Sequence, residues 1–282
     1  MRWGATGSAI AGVMLAALAG FEPPARAAEP AAHAASQPVR VGGTGFAIAL
    51  MRALGEQVAA SRPEFDITIL PSLGSGGGLA ALGDGAIELA VSARALTNDE
   101  QAKGLRDAAC ATTPLTFATS RADGGSITLR ELPALYAEPS PSWPDGTRLK
   151  VILRDRRGAE ITYLSAQLPG MRDAFAAAFK RPGIAVGATD QENAELAQRI
   201  EGSLAIITLL QIRTERLALR PMSLDGLAPS TDAIAAGAWP LPIRFCLVLP
   251  AAPAAGARQM VAFFRSSDGQ ALLVRSGARL TD

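Results

Sequence analysis

At 282 residues the chain is long enough to bury a sizeable core, as one large domain or two small ones. It is 49% hydrophobic and 5% aromatic with a formal net charge of +1, so it carries no broad basic face, which argues against nucleic acid as a partner. A single histidine, His33, argues against a histidine-based metal site or a Ser-His-Asp triad.

The N-terminus reads as a secretory signal: Arg2 is the positive start, Ala9 to Phe21 is an apolar core, and Ala25-Arg26-Ala27 is an A-x-A cleavage site. Removal is expected up to Ala27, with an uncleaved anchor as the alternative. No cysteine follows the apolar core, which argues against a lipoprotein, and no later apolar run reaches the roughly 18 residues of a membrane span. The mature protein is therefore expected to be soluble, exported and periplasmic. Only Cys110 and Cys246 occur, and an oxidising compartment favours pairing them; two buried free thiols are the other reading.

Residues 28–38 are rich in Ala and Pro and read as a linker. Val39-Arg40-Val41 is a short strand running into Gly42-Gly43-Thr44-Gly45-Phe46 and a helix over about 47–60. Thr44 is either a helix cap or a ligand hydroxyl. Phe65 to Leu70 is a second strand, followed by Gly74-Ser75-Gly76-Gly77-Gly78 and a helix. Strand, glycine turn and helix start together make an anion site, because the first helical N–H groups are unpaired and the dipole is positive there. A flexible turn is the plain alternative. The stretch lacks the Gly-Lys-Ser/Thr of a nucleotide P-loop and the GxGxxG of a dinucleotide fold.

A third strand, Ile87 to Val91, ends in Ser92-Ala93-Arg94, and Thr97 with Glu100 forms a capping box for the next helix. Residues 110–120 are extended and long enough to cross between domains, and 126–136 read as helical. Lys150 to Leu153 is a strand ending in Arg154-Asp155-Arg156-Arg157-Gly158-Ala159. Helices follow over 161–167 and 171–179, then a strand at 184–186, a helix at 190–199 and a strand at 203–207. The strand 245–249 and helices over 254–265 and 268–276 close the chain. Alternating strands and helices imply an α/β fold with parallel strands, and ligands of such sheets bind beyond the carboxyl ends of the strands.

Together these stretches resemble the phosphate-binding family of ABC-transporter substrate-binding proteins, the type II periplasmic binding proteins. Gly43-Thr44 is similar to the family's first phosphate loop. Leu73 to Gly78, Asp84-Gly85 and Ile87 to Leu96 resemble its second and third elements and are the most specific part. Trp143 with Asp145-Gly146 follows a W-x-D-G spacing, Trp239-Pro240-Leu241 resembles the return segment, and Phe263-Phe264 with Ser267-Asp268-Gly269-Gln270 resembles the closing helices.

The resemblance implies a two-lobed α/β fold, each lobe a mixed, mostly parallel sheet flanked by helices and joined by two crossover strands. Lobe 1 is expected over 39–112 plus 246–282 and lobe 2 over 113–245. It also implies that Cys110 and Cys246 lie near the crossover strands and favours a disulfide between them. The implied ligand set is Thr44, Gly45, Ser75, Gly76, Ser92, Arg94, Arg154, Arg157 and Gly158. Two departures stand out: Arg157 and Ala159 occupy positions where the family has serine and threonine, and Ala93 replaces an acceptor. The three arginines 154, 156 and 157 either compensate as bidentate oxyanion donors or form a solvated charge cluster.

The implied function is a periplasmic solute-binding protein of an ABC transporter, taking phosphate or a related small oxyanion, with an ABC permease as partner and a monomeric state. The alternative is a degenerate, binding-protein-like sensory or protein–protein interaction module that no longer binds phosphate. No enzyme, cofactor or metal is expected, since a catalytic serine would have no histidine base outside the linker and no carboxylate pair is evident.

Overall fold

The computed structural model describes residues 36–281. The expected signal peptide, its cleavage site and His33 lie outside the described residues. The elements in chain order are β1 (Gln37–Gly43), α1 (Ile48–Ser61), β2 (Phe65–Ile69), α2 (Gly74–Gly83), β3 (Leu89–Ser92), α3 (Asn98–Ala102) and β4 (Arg106–Thr119). Then come β5 (Ser126–Ile127), α4 (Leu132–Ala137), β6 (Lys150–Arg154), α5 (Ala159–Gln167), α6 (Met171–Ala178), β7 (Ala185–Gly187), α7 (Asp190–Arg199) and β8 (Ser203–Thr208). The chain finishes with α8 (Leu209–Thr214), β9 (Arg220–Pro221), β10 (Ser223–Leu224), α9 (Thr231–Ala235), β11 (Pro242–Leu249), α10 (Ala255–Arg265), α11 (Ser267–Arg275) and β12 (Arg279–Thr281).

The main strand order is β2-β1-β3-β11-β4-β8-β6-β7, with β12 and β9 also pairing β4. In the first lobe β1 lies parallel to β2 and β3, while β11 runs antiparallel to β3 and β4. In the second lobe β6 lies parallel to β7 and β8, and β8 is antiparallel to the far end of β4. The 14-residue β4 thus serves both sheets, pairing β11 up to Pro114 and β8 from Leu115.

Period-two alternation explains how helices cover both faces of each sheet. Leu89 and Val91 of β3 and Phe245 and Leu247 of β11 enter one core, whereas Ala90, Cys246 and Val248 enter a second core with Leu79 and Leu82 of α2. In the second lobe Val151, Leu153, Leu204 and Ile206 face one side and Ile152, Ala205 and Ile207 the other. Strands buried on both faces read as continuous apolar runs, which is why β6 and β8 were visible in the sequence. Among the described residues no helix is long and apolar enough to cross a membrane.

Four local expectations change. The end of the expected linker, Gln37-Pro38, already belongs to β1, paired with Phe65 and Asp66. The segment 126–136 is not one helix: Ser126-Ile127 pairs with Ser223-Leu224, and α4 begins only at Leu132. The glycines from Gly74 to Gly78 form the first turns of α2 rather than a loop before it. The short helices α8 and α9 were not anticipated, because five or six residues carry less than two turns of periodicity, and neither was the three-residue strand β12.

Candidate functional site

A cleft of about 870 Å³ opens beyond the carboxyl ends of β1, β3 and β6. Its wall includes Thr44, Ser72 to Gly77, Ser92 to Ala95, Arg154, Arg157 to Glu160, Tyr163 and Thr189-Asp190. The structure therefore brings Thr44, Ser75, Gly76, Ser92, Arg94, Arg154, Arg157 and Gly158 to one cavity, with Gly45 directly behind it.

Thr44 stands where the helical turn Gly45–Ala47 begins, yet its side chain makes no cap bond. Its hydroxyl is buried at the cleft wall and not committed to a helix end. Ser75 sits in the first turn of α2, and its Oγ accepts the Ala93 N–H at 3.0 Å. That leaves its hydroxyl proton to donate, beside the unpaired N–H groups of the turn. Gly78 is glycine for packing: an added Cβ would lie 2.6 Å from the Gly43 Cα, so α2 could not seat against β1.

The arginines are less available than the sequence implies. Arg94 forks onto Glu100 at 2.9 and 2.7 Å, and Ser92 folds back on Arg94, its hydroxyl donating to the Arg94 carbonyl at 2.8 Å. The Arg94 guanidinium and the α3 cap hold the Glu100 carboxyl down at about 2. Arg156 lies over the Phe179 ring, 4.0 Å from its centroid. Arg157 is 93% exposed along its side chain and pairs with Asp155 at 3.0 Å. Of these arginines Arg154 is the buried one at the cleft, its Nη1 donating to the Gly187 carbonyl at 2.8 Å, while Arg244, also on the cleft wall, pairs with Asp107 at 3.3 Å.

Arg154 meets two buried carboxylates. Glu160 Oε1 is 2.7 Å from its Nε, and Asp190 Oδ1 is 3.5 Å away. Neither Arg154 Nε nor Glu160 Oε1 has a hydrogen-bond partner, so the pair is close in distance but poorly aligned. Burial and the neighbouring Asp190 charge push the Glu160 carboxyl up to about 7, against the pull of Arg154. Burial likewise raises Asp190, opposed by Arg154 and by the backbone N–H groups of Gly45 and Phe46, which face its carboxylate.

Two of the glycines expected to admit a ligand oxygen admit an oxygen of this chain instead. A Cβ on Gly45 would collide with Asp190 Oδ2, and one on Gly158 would lie 2.8 Å from Glu160 Oε1. Gln191 Nε2 donates to the Gly45 carbonyl at 3.0 Å, so the start of α7 reaches across to the β1–α1 turn. Tyr163 donates to the Pro242 carbonyl at 2.9 Å on the other flank.

Sequence reasoning missed Glu160 and Asp190 as site residues. Each lies in the first turn of a helix, where an acidic residue is commonplace because it favours the helix dipole, so neither stood out. Trp143 and Asp145-Gly146 are structural: the indole donates to the Gly202 carbonyl and Asp145 binds Thr147 and Arg121. Trp239 likewise donates to the Leu115 and Leu241 carbonyls. Cys110 and Cys246 are direct cross-strand partners in β4 and β11 and form a disulfide.

No curated protein matches the chain. Among solved structures it is similar to a candidate phosphate ABC transporter substrate-binding protein of Clostridium perfringens with bound phosphate, at 15% identity and TM-score 0.73, covering 87% of this chain and 100% of that one. An ABC-type phosphate transport receptor of Vibrio cholerae aligns at 17% identity and TM-score 0.61, over 87% of this chain and 100% of that one. The periplasmic molybdate-binding protein of Azotobacter vinelandii aligns at 14% identity and TM-score 0.57, over 86% and 100%. At these identities the likeness speaks for the fold, the type II binding-protein architecture. The family described as PBP superfamily domain matches over residues 27–268. On that match the chain belongs to the PBP superfamily.

Proposed function

We propose that the protein is a periplasmic solute-binding protein of an ABC transporter, exported by cleavage near Ala27, that takes phosphate or a related small oxyanion in the cleft between its lobes. The observation that carries this reading is the convergence of the free Thr44 hydroxyl, the Ser75 hydroxyl, the first turn of α2 and Arg154 on one cavity. Each supplies donors or positive potential without needing a histidine or a metal. The phosphate and molybdate proteins of the same fold lend it analogy. The lobes would comprise 39–112 with 246–282, and 113–245, closing about the ligand as a monomer and handing it to a permease.

Calorimetric titration with phosphate, sulfate and molybdate tests this directly. Binding tighter than about millimolar, with a thermal shift that follows RT ln(1 + [L]/Kd), is the expected result. Heat-silent titrations across the panel, with unchanged unfolding temperature, would overturn it.

A second reading has its own support. Arg94, Arg154 and Arg157 are all paired with carboxylates of this chain, so little positive charge is left for a dianion. A binding-protein-like sensory or interaction module that no longer binds phosphate would look like this. Silence of the oxyanion panel combined with capture of a defined protein partner would favour it.

A further inference from the structure

We propose that Asp190 is the resident anion of the cleft: its carboxylate takes the place, against the Gly45–Phe46 turn and beside Arg154, where a ligand oxyanion would be held, and so sets what the site admits. The inference rests on reading the cleft as an anion-binding site.

Four observations converge on Asp190. Its Oδ2 lies so close to Gly45 that no side chain fits there, which is the close backbone approach a glycine turn gives to a ligand oxygen. Its other oxygen is 3.5 Å from Arg154 Nε. It is buried in the cleft wall rather than paired at the surface. The next residue, Gln191, bonds the Gly45 carbonyl, so the carboxylate arrives on a segment fastened to the opposite lobe.

A carboxylate is an oxyanion with the same appetite for N–H donors as phosphate or sulfate. Placed in the turn, it faces the Gly45 and Phe46 N–H groups, donors that a buried site otherwise leaves for a ligand oxygen. With Glu160 also on Arg154, the interior holds one guanidinium against two carboxyl groups. A free dianion entering beside them would meet like charge in a poorly screened site. Entry therefore requires Asp190 to withdraw, which also releases the α7–Gly45 contact between the lobes. The site as built selects against dianions and favours a ligand carrying one negative charge or none while Asp190 is in place.

Asp190→Asn keeps the shape and removes the charge, so it is the variant to test, with Glu160→Gln as the control that removes a charge from Arg154 without emptying the turn. Titration of inorganic phosphate at fixed pH and ionic strength should give at least tenfold tighter binding for Asp190→Asn than for the natural sequence, and a smaller gain for Glu160→Gln. Small-angle scattering without ligand should give a larger radius of gyration for Asp190→Asn. Phosphate affinity unchanged or weaker in Asp190→Asn, in a protein whose natural form binds phosphate, overturns the inference and leaves the proposed function standing. A gain from Glu160→Gln as large as that from Asp190→Asn also overturns it, because charge alone would then suffice. If neither form binds phosphate but Asp190→Asn opens, the oxyanion function falls and the internal ligand stands. If neither binds and neither opens, both fall. Should Asp190→Asn fail to fold, Asp190→Ser is read in the same way.

Discussion

Arg154 carries one positive charge between Glu160 and Asp190, and the imbalance has a pH signature. An unfolded glutamate releases its proton near 4.5, whereas Glu160 holds it to about 7 because burial and the Asp190 charge oppose ionisation. Across that window the folded state binds more protons, so stability falls as pH rises from about 4.5 to about 7. The total change is on the order of 3 kcal/mol as an upper bound. Urea midpoints should be higher at pH 5 than at pH 8, and Glu160→Gln should flatten the difference. Glu100 and Asp145, both held at about 2, act below that window: their contribution is present above about pH 4 and lost only as pH falls towards 2. Ser75→Ala removes both the acceptor of the Ala93 N–H and a donor into the cleft. It should cost about 1 kcal/mol in unfolding and weaken oxyanion binding about tenfold, read by melting with and without phosphate. At this scale the sequence pointed to the hydroxyls and Arg154 that line the cleft, but not to the carboxylates Glu160 and Asp190 beside them. A motif names donors by spacing, whereas Glu160 and Asp190 lie 30 residues apart and meet only through the fold.

Among the elements, α2 offers the sharpest contrast. Gly78 faces Gly43 with no room for a methyl group, while Gly76 faces open space. Gly78→Ala should destabilise by about 1–3 kcal/mol through overpacking. Gly76→Ala should stabilise by about 0.5–1 kcal/mol, since a helical glycine gives up more chain entropy than alanine. Chemical denaturation of the two variants separates them by sign. A glycine run reads the same whether it frees a loop or lets a helix press against a strand, so the sequence could not tell these roles apart. The capping box at Thr97 and Glu100 was legible because it is local, and it is present as expected. The span of α7, Asp190–Arg199, was legible for the same reason: Thr189 caps it and its interior has a helical period. β5 was hidden because its partner Ser223-Leu224 is remote and supplies the only reason for Ser126-Ile127 to extend.

For the whole molecule, the disulfide joins positions 136 residues apart on neighbouring strands. Closing so long a loop restricts the unfolded chain, and its removal should cost about 2–5 kcal/mol. A Cys110→Ser, Cys246→Ser double variant should melt several degrees lower, and reductant should lower the natural protein to match. The two-lobed plan was legible from the glycine turns at successive strand ends, the W-x-D-G and closing-helix segments and the long extended stretch at 110–120. How the cleft is filled was not, because that is decided by side chains brought together from both lobes.

The 14-residue β4 lends one edge to β11 and, further along, another to β8. Releasing either sheet leaves a length of the same strand with bare amide and carbonyl groups, so neither lobe has a comfortable half-melted state. The two lobes should therefore lose structure together, giving a single calorimetric peak whose van't Hoff enthalpy equals the measured heat. Two resolved peaks would mean that the shared strand can fray at its middle. If the peak is single, damage in either lobe is felt as lost stability in both.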